Sequence, residues 1–141
     1  MKNFLFLVIA FFSFLLVDAQ EQNLQSQDSI YDFKDVEVKP EYPGGMEAFY
    51  KFIAKNFKAP EEEGLDGKIL TTFVIEIDGN VSEIKVLQDV GFGSGAEVLR
   101  VLTLSQKWIP ATLDGIPVRV LYQFPITIKS GEKYSRKHKQ Y

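Results

Sequence analysis

The dipeptide Asp78-Gly79, set between two apolar runs, constrains the fold of this chain more than any other sequence feature. Residues 69–77 and 81–87 are both rich in β-branched side chains. A two-residue hairpin turn needs positive φ at its central positions, and Asp-Gly is one of the pairs that adopt it most readily. The pattern therefore predicts an antiparallel hairpin of two strands.

The predicted turn also determines which residues of the two strands lie opposite each other. With a two-residue loop, Ile75 faces Ser82 and Phe73 faces Ile84. In this register one face of the hairpin is mostly apolar and the other is mostly polar. Such a division is typical of an antiparallel sheet that helices cover on one face only.

Two helices are predicted, one before the hairpin and one after it. The first runs from about Met46 to Lys58 with apolar side chains at three- and four-residue spacing, and Pro60 ends it. The second opens at the capping-box pattern Ser94–Glu97 and ends near Lys107. Its predicted inner face consists of Val98, Leu99, Val101 and Leu102.

The last predicted element is a long strand from Val118 to Ile128. Pro125 within it has no N–H to donate, so we expect at least one edge of the strand to be free near it. An exposed strand edge is a template on which another chain can add. The order helix, hairpin, helix, strand predicts an α+β fold, with a small antiparallel sheet of three strands and two helices on one face. The apolar face of the last strand is formed by Val118, Val120, Tyr122, Phe124, Ile126 and Ile128, which alternate with Arg119, Leu121, Gln123, Pro125 and Thr127.

Residues 1–19 are typical of a secretory signal peptide. Lys2 precedes an apolar run from Phe4 to Val17, and the small residue Ala19 lies before the expected cleavage site. An uncleaved membrane anchor is the alternative, although the run is shorter than the roughly 20 apolar residues that span a bilayer as a helix.

The rest of the chain divides into three parts by composition. Residues 20–39 are rich in Gln, Asp and Ser and are interpreted as a polar linker, with a short strand at Val36-Glu37-Val38. Residues 40–128 form the predicted domain. Residues 129–141 form a basic tail, which is either a solvated end or a contact for an acidic partner or lipid.

Composition argues against several classes of function. The chain has no cysteine and one histidine, His138, and its net charge of −3 argues against a nucleic-acid binder. The carboxylate cluster Glu61–Glu63 is interpreted as a solvated surface. The glycine-rich stretch Gly91–Gly95 lacks the lysine of a phosphate-binding loop, so a flexible connection is favoured over an anion site. We therefore predict no enzyme, catalytic residue, metal, cofactor or small-molecule substrate.

An ordered set of short motifs resembles the TonB C-terminal domain family, in the short form common in Bacteroidetes-type, energy transducer TonB-like proteins. The resemblance extends from about residue 36 to residue 128, and its specificity lies in the order of the motifs. They are Pro40–Gly45, Gly67-Lys68, Phe73–Ile75 with Asp78-Gly79 and Val81, Ala96–Arg100, Lys107–Ala111, Gly115, Pro117-Val118 and Phe124–Ile126.

The resemblance implies a non-enzymatic periplasmic domain that receives an extended peptide. In the family, a short box peptide from an outer-membrane transporter pairs with the last strand and extends the sheet. Tyr42-Pro43 matches a Tyr-Pro signature that implies a second contact region; the alternative is that this pair only orients the first helix. The partner-binding residues implied for the last strand are Val118, Arg119, Val120, Leu121, Tyr122, Gln123 and Thr127, with Arg119, Leu121 and Gln123 pointing away from the core.

The chain differs from energy-transducing members of the family in two respects, and both concern the coupling to the inner membrane rather than peptide binding. Energy-transducing members carry a membrane helix and a proline-rich spacer, whereas here the apolar run is short and residues 20–39 contain no proline. The resemblance therefore implies peptide binding more strongly than coupling to an inner-membrane motor. The alternatives are an anchored protein that faces the periplasm, a free envelope adaptor, and a homodimer paired through its strand edges.

Overall fold

A computed structural model describes residues 28–129, which form two helices and a mixed sheet. The predicted signal peptide and all of the predicted tail after Lys129, including His138, lie outside these residues. No helix within residues 28–129 has the length and the apolar character that crossing a membrane requires. In chain order the elements are β1 (Ile30–Asp32), α1 (Gly45–Asn56), β2 (Asp66–Ile75), β3 (Val81–Gln88), α2 (Ser94–Thr103), β4 (Ala111–Leu113) and β5 (Ile116–Lys129).

The α+β class predicted from the sequence is confirmed, but the sheet has five strands and not three. The strands lie in the order β1-β5-β2-β3, and β4 pairs with the start of β5. The pairs β2–β3 and β2–β5 are antiparallel, whereas β1 runs parallel to β5. The two unpredicted strands have only three residues each, which is too short for alternation to identify them.

The stretch interpreted as a polar linker contributes to the fold from residue 30 onward. Strand β1 lies in it, and Val36 is buried in a small core cluster beside the start of β5. The short strand expected over residues 36–38 is a single antiparallel bridge between Val38 and Thr112. The polar composition therefore did not indicate that this segment packs on the sheet.

The turn of the β2–β3 hairpin is one residue longer than predicted. Gly79 has a φ of 83°, and its N–H donates to the carbonyl of Glu76 at 2.9 Å. The loop therefore contains three residues, a common form in which glycine takes the left-handed position. Ile75 pairs with Val81 as a result, whereas the prediction placed it opposite Ser82.

A β-bulge in β3 returns the hairpin to the predicted register. Glu83 has a φ of 44°, and Glu83 and Ile84 together lie opposite Phe73. On the far side of the bulge Thr71 pairs with Val86. The extra residue in the loop and the extra residue in the bulge therefore compensate each other. The core residues of both strands consequently stay on one face, namely Phe73, Ile75, Val81, Ile84 and Val86.

The hydrophobic core lies between the helices and one face of the sheet. Helix α1 begins and ends close to the predicted positions, and it buries Phe49 and Ile53. The aromatic rings of Tyr42, Phe49 and Trp108 are in mutual contact at the centre of this core. The buried members of the core cluster are Tyr42, Phe49, Ile53, Ile69, Phe73, Ile75, Val98, Val101, Leu102, Trp108, Phe124 and Ile128.

Helix α2 differs from its prediction at both ends and on one face. Its N-cap is Gly93, with a φ of 80° and no side-chain cap, so the capping-box prediction was wrong. Ser94 already lies in the first turn, because the tight glycine loop starts the helix one residue earlier. The helix ends at Thr103, before the predicted end. Leu99 was placed on the inner face, but it is 37% exposed.

Candidate functional site at the open edge of the last strand

Strand β5 is paired along the whole of one edge but along only part of the other. On the first edge its residues 120–129 pair with β2 and residues 116–118 pair with β4. On the second edge, Arg119–Leu121 pairs with β1. Beyond Leu121, no strand within residues 28–129 pairs with this second edge. We call the open stretch from Tyr122 to Lys129 the β5 edge.

Alternate residues of the strand direct their backbone groups to the β5 edge. The Thr71 hydroxyl donates to the carbonyl of Phe124 at 3.0 Å, so this carbonyl points toward β2. Neighbouring residues of an extended strand point their backbone groups the opposite way. Pro125 therefore lies where the ladder with β2 needs no N–H, as expected for proline in a sheet. The N–H groups that point to the β5 edge belong to Gln123, Thr127 and Lys129.

A groove of about 610 Å³ runs along the β5 edge beside helix α1. The side chains that line it from both elements are apolar or aromatic, apart from Thr127 and Lys129, and Lys129 is the one charged residue among them. The α1 residues of the groove recur at three- and four-residue spacing, so they form one stripe of the helix. The wall consists of Tyr50, Ile53, Ala54 and Phe57, and the floor consists of Phe124, Ile126 and Ile128.

The partner-binding residues predicted on the last strand fall into two groups in the structure. Val118 and the segment Arg119–Leu121 lie where β4 and β1 already pair with the strand. Tyr122, Gln123 and Thr127 lie on the β5 edge. The short strand β1 was not predicted, which is why the sequence extended the open edge back to Val118.

Arg119 forms ion pairs on the sheet face that the helices leave uncovered. Its Nε donates to Glu76 at 2.7 Å, and its Nη2 donates to Glu83 at 2.7 Å. Its Nη1 donates to the carbonyl of Asp28 at 3.2 Å. Hydrogen bonding to Glu76 raises the pKa of Arg119, and the same contact lowers the pKa of Glu76. The guanidinium points away from the core as predicted, but it is used to connect β5 to neighbouring segments of the chain.

The side chain of Tyr42 is part of the core and is only 2% exposed. Its ring centroid lies 5.1 Å from that of Phe49 and 5.3 Å from that of Trp108. Pro43 follows it and is half-buried. In this structure the Tyr42 ring offers no surface to a partner, and its position favours the alternative that the Tyr-Pro pair orients helix α1.

Tyr122 lies at the boundary between the covered and the open parts of β5. Its ring makes an edge-to-face contact with Phe33, which follows β1, at a centroid distance of 5.3 Å. Its hydroxyl donates to Sδ of Met46 at 3.5 Å, and burial raises the pKa of the phenol. The contact with Phe33 marks the place where β1 leaves the sheet and the open edge begins.

The groove wall on α1 was missed as a functional surface in the sequence. Tyr50 is 55% exposed, and its ring centroid lies 5.8 Å from that of Phe124. Tyr50, Ile53, Ala54 and Phe57 recur at helical spacing, which is a detectable signal. The stripe shares Ile53 and Phe57 with the predicted core face of the helix, so the two could not be separated without the position of β5.

Two other candidate sites have simpler structural roles. The residues Glu61–Glu63 are exposed in the loop before β2. In the glycine-rich loop before α2, the Asp89 carboxylate accepts the N–H of Gly91 at 2.9 Å, so a carboxylate already lies where an anion would bind. Within residues 28–129, no group of three or more His, Cys, Asp or Glu side chains could hold a metal ion.

The sheet has a second outer edge at β3, but this edge is less suited to accept a strand. The bulge at Glu83 interrupts the regular spacing of N–H and carbonyl groups along β3. Bulges of this kind are a common means of protecting strand edges from pairing. The β5 edge has no such interruption in its pairing with β2 from residue 120 to residue 129.

Comparison with known proteins gives one family match. Residues 58–129 match the family described as the C-terminal part of the Gram-negative bacterial TonB protein. No curated protein and no solved structure matches the chain. Proteins with this domain are periplasmic or envelope-associated, belong to a transport and energy-transduction family, and generally interact with outer-membrane TonB-dependent transporters. Because the match covers just over half of the chain and runs from β2 to β5, the protein belongs to the TonB C-terminal domain family and is involved in TonB-dependent transport.

Proposed function

We propose that the protein binds a peptide segment of an outer-membrane TonB-dependent transporter by adding it as a strand to the β5 edge. The observation that carries the proposal is the open edge from Tyr122 to Lys129 beside an apolar groove. In strand addition, main-chain hydrogen bonds supply affinity and alternate side chains supply specificity. For the main-chain hydrogen bonds, the β5 edge offers positions that no strand within residues 28–129 pairs with. For the side chains, the groove offers an apolar surface.

The proposed receiving edge is displaced toward the C-terminus relative to the stretch from Val118 to Thr127 expected from the sequence. Strand β1 already occupies this side of β5 from Arg119 to Leu121. The groove continues to Lys129. The proposed partner-binding residues are therefore Tyr122, Gln123 and Thr127 of the original set, with Lys129 added at the end.

We further propose that the protein reaches the periplasm through a cleaved signal peptide. The short apolar run from Phe4 to Val17 supports this location. A protein released in this way binds its partner without a direct covalent link to the inner membrane. An inner-membrane-anchored form facing the periplasm, a free adaptor without a role in energy transduction, and a strand-paired homodimer are the alternatives.

The test of strand addition compares two substitutions at Gln123. The Gln123 N–H points to the β5 edge and away from β2, so Gln123→Pro removes a donor for the added strand and leaves the β2 ladder intact. Gln123→Ala keeps that donor and removes only an exposed polar side chain. We expect the proline variant to bind about tenfold more weakly or worse, and the alanine variant to bind within about twofold of the original protein.

Affinities are measured by calorimetry against a transporter that the mature protein retains from an envelope fraction. Both variants must first show thermal transitions like that of the original protein, so that a loss of binding is not a loss of folding. Equal affinities in two well-folded variants would exclude the β5 edge as the binding site. Retention of no transporter by the original protein would contradict the proposed partner.

A further inference from the structure

We infer that the groove beside the β5 edge selects peptides whose alternate residues are apolar, because it buries the side chains on one face of the added strand only. This inference rests on the proposed strand addition and specifies its ligand. The class of ligand is an extended segment of about seven residues with aliphatic side chains at every second position. Tyr50 and Ala54 of α1, and Phe57 directly after it, then act as specificity-determining residues.

The direction of the side chains follows from the geometry of a sheet. Residues directly opposite each other on neighbouring strands place their side chains on the same face. Phe124, Ile126 and Ile128 form the floor of the groove on the helix-covered face. Peptide residues opposite these three therefore point into the groove, whether the added strand runs parallel or antiparallel to β5.

The groove wall offers apolar surface that a peptide would remove from water. Tyr50 is 55% exposed, and Ala54 is exposed beside it on the same stripe of α1. Phe57 is half-buried at the other end of the wall. Burial of each additional methylene group is worth about fourfold in affinity. An aliphatic side chain is therefore strongly favoured over a polar one at these positions.

On the opposite face of the added strand, neither helix of residues 28–129 forms a wall. Gln123, Pro125 and Thr127 are exposed, and the sheet face that carries them is the one that the helices leave uncovered. Peptide residues opposite these positions stay in water and are not selected by burial. The single charge among the lining residues, Lys129, favours an acidic residue at that end of the peptide.

A second copy of this chain fits the β5 edge less well. Two β5 edges that pair about a two-fold axis would each contribute Pro125, so the missing N–H would weaken the ladder twice. The chain's own C-terminal tail is also unsuited, because residues 130–141 contain no Val, Leu, Ile, Met or Phe to occupy the groove. An apolar segment from another protein meets both requirements.

The experiment compares two synthetic peptides of identical composition. In one, three valines and four threonines alternate between two terminal aspartates; in the other, the three valines are consecutive. Valine and threonine have nearly the same shape and similar strand propensity, so the peptides differ in the number of methyl groups that face the groove. The alternating peptide places three valines in it, and the block peptide places two at most. One more methyl group then faces the groove, so we expect the alternating peptide to bind the mature protein about fourfold more tightly by calorimetry.

Two substitutions in α1 test whether a difference in affinity between the two peptides comes from the groove. Ala54→Gln introduces a polar side chain into the wall, whereas the neighbouring Lys55→Gln changes an exposed residue that does not line the groove. Both substitutions keep a strong helix former. We expect Ala54→Gln to abolish the preference for the alternating peptide and Lys55→Gln to preserve it.

The failure of this inference is distinguishable from failure of strand addition. Equal affinities for the two peptides, or binding of neither by a protein that still retains its transporter, would overturn the apolar selection and leave strand addition standing. Loss of binding to the transporter and to both peptides would overturn the apolar selection and the strand addition together. Sedimentation that shifts to a dimer with rising concentration, with binding lost as the dimer forms, would show that a second copy occupies the edge and would also overturn the inference.

Discussion

Gly79 lies where two segments of backbone meet, and its missing side chain allows them to approach. A Cβ atom at this position would lie 2.0 Å from the carbonyl oxygen of Trp108. The N–H of Trp108 donates to the carbonyl of Gly79 at 2.8 Å, so the hairpin loop is bonded to the segment that follows α2. The residue therefore has two reasons to be glycine, namely its positive φ and this contact.

The substitution Gly79→Ala, compared with Gly64→Ala, separates these two reasons. Both glycines have positive φ, but a Cβ atom at Gly64 would meet nothing within 4 Å. We expect Gly64→Ala to lower the free energy of unfolding by about 1 kcal/mol, from backbone strain alone. Gly79→Ala should lower it by about 3 kcal/mol, because the Trp108 backbone must also move. Urea unfolding measures both, and equal losses would show that the contact with Trp108 relaxes without cost.

Individual residues of the fold could be predicted where a long periodic pattern supported them. The alternation of β5 extends over many residues, so the buried positions of Val120 and Phe124 were identified correctly. The bulge at Glu83 could not be predicted, because a glutamate with positive φ has no signature in the sequence. The loop length was missed because Asp-Gly suits both two-residue turns and the three-residue loop found here.

At the scale of elements, α2 holds the C-terminal end of α1 through one ion pair. Glu97 accepts the N–H of Lys58 at 2.9 Å, and Nη2 of Arg100 donates to the carbonyl of Asn56 at 2.7 Å. The two side chains also bond each other, with Nε of Arg100 at 2.9 Å from Oε2 of Glu97. The bond from Arg100 satisfies a carbonyl group that the end of α1 leaves without a partner in the helix, and the bond to Glu97 fixes the segment that follows. Because Phe57 lies within this stretch and lines the groove, the pair also positions the groove wall.

The ion pair makes a pH-dependent contribution to stability. Hydrogen bonding from Arg100, followed by that from Lys58, lowers the pKa of Glu97 from 4.5 to about 2. A carboxyl group whose pKa is lower in the folded state stabilises the fold above its unfolded pKa, and this contribution is lost as pH falls through the folded pKa. We expect Glu97→Gln to be less stable than the original protein at pH 7 and pH 5. The difference should shrink as pH falls from about 4.5 toward 2.

Urea unfolding at pH 7, 5 and 3 measures this difference. The original protein and the Glu97→Gln variant are compared at each pH. The effects of Glu76 and of the other carboxyl groups, which both proteins share, cancel in this difference. A stability difference that stays constant between pH 5 and pH 3 would contradict the lowered pKa.

The elements that form the site were predictable in part. The sequence located β5 and suggested a free edge from Pro125, which the pairing in residues 28–129 supports. It did not show where that edge begins, because β1 is a three-residue strand that pairs with β5 across a large distance in sequence. Pairing of this kind depends on tertiary contacts and leaves no local periodicity. The contribution of α1 was hidden for a related reason, since a groove wall and a core face share one apolar stripe.

At the scale of the whole chain, the position of β1 limits how far an anchored form could reach. The first described strand begins at Ile30, so only residues 18–29 separate it from the apolar run that ends at Val17. Twelve residues span at most about 43 Å when fully extended. An uncleaved anchor would therefore keep the domain close to the inner membrane, which is a poor position from which to bind an outer-membrane partner.

We accordingly expect the mature protein to begin at or near Gln20. N-terminal sequencing of the protein from an envelope fraction tests this start, with a periplasmic and an inner-membrane protein of known location as controls for the fractionation. Intact protein with Met1 in washed inner membrane would reverse the conclusion and restore the anchored alternative.

The unequal pairing of β5 on its two sides has a mechanical consequence. Hydrogen bonds in an antiparallel sheet lie across the strands, so a pull along β5 loads them together in shear. The strand is paired with β2 at every position from residue 120 to residue 129, whereas a partner on the β5 edge has a shorter run that lacks the N–H of Pro125. We therefore expect force spectroscopy on the complex to show rupture of the peptide junction before any unfolding of the domain. A partner peptide under tension would therefore dissociate from a sheet that stays folded. The same protein molecule could then bind another peptide.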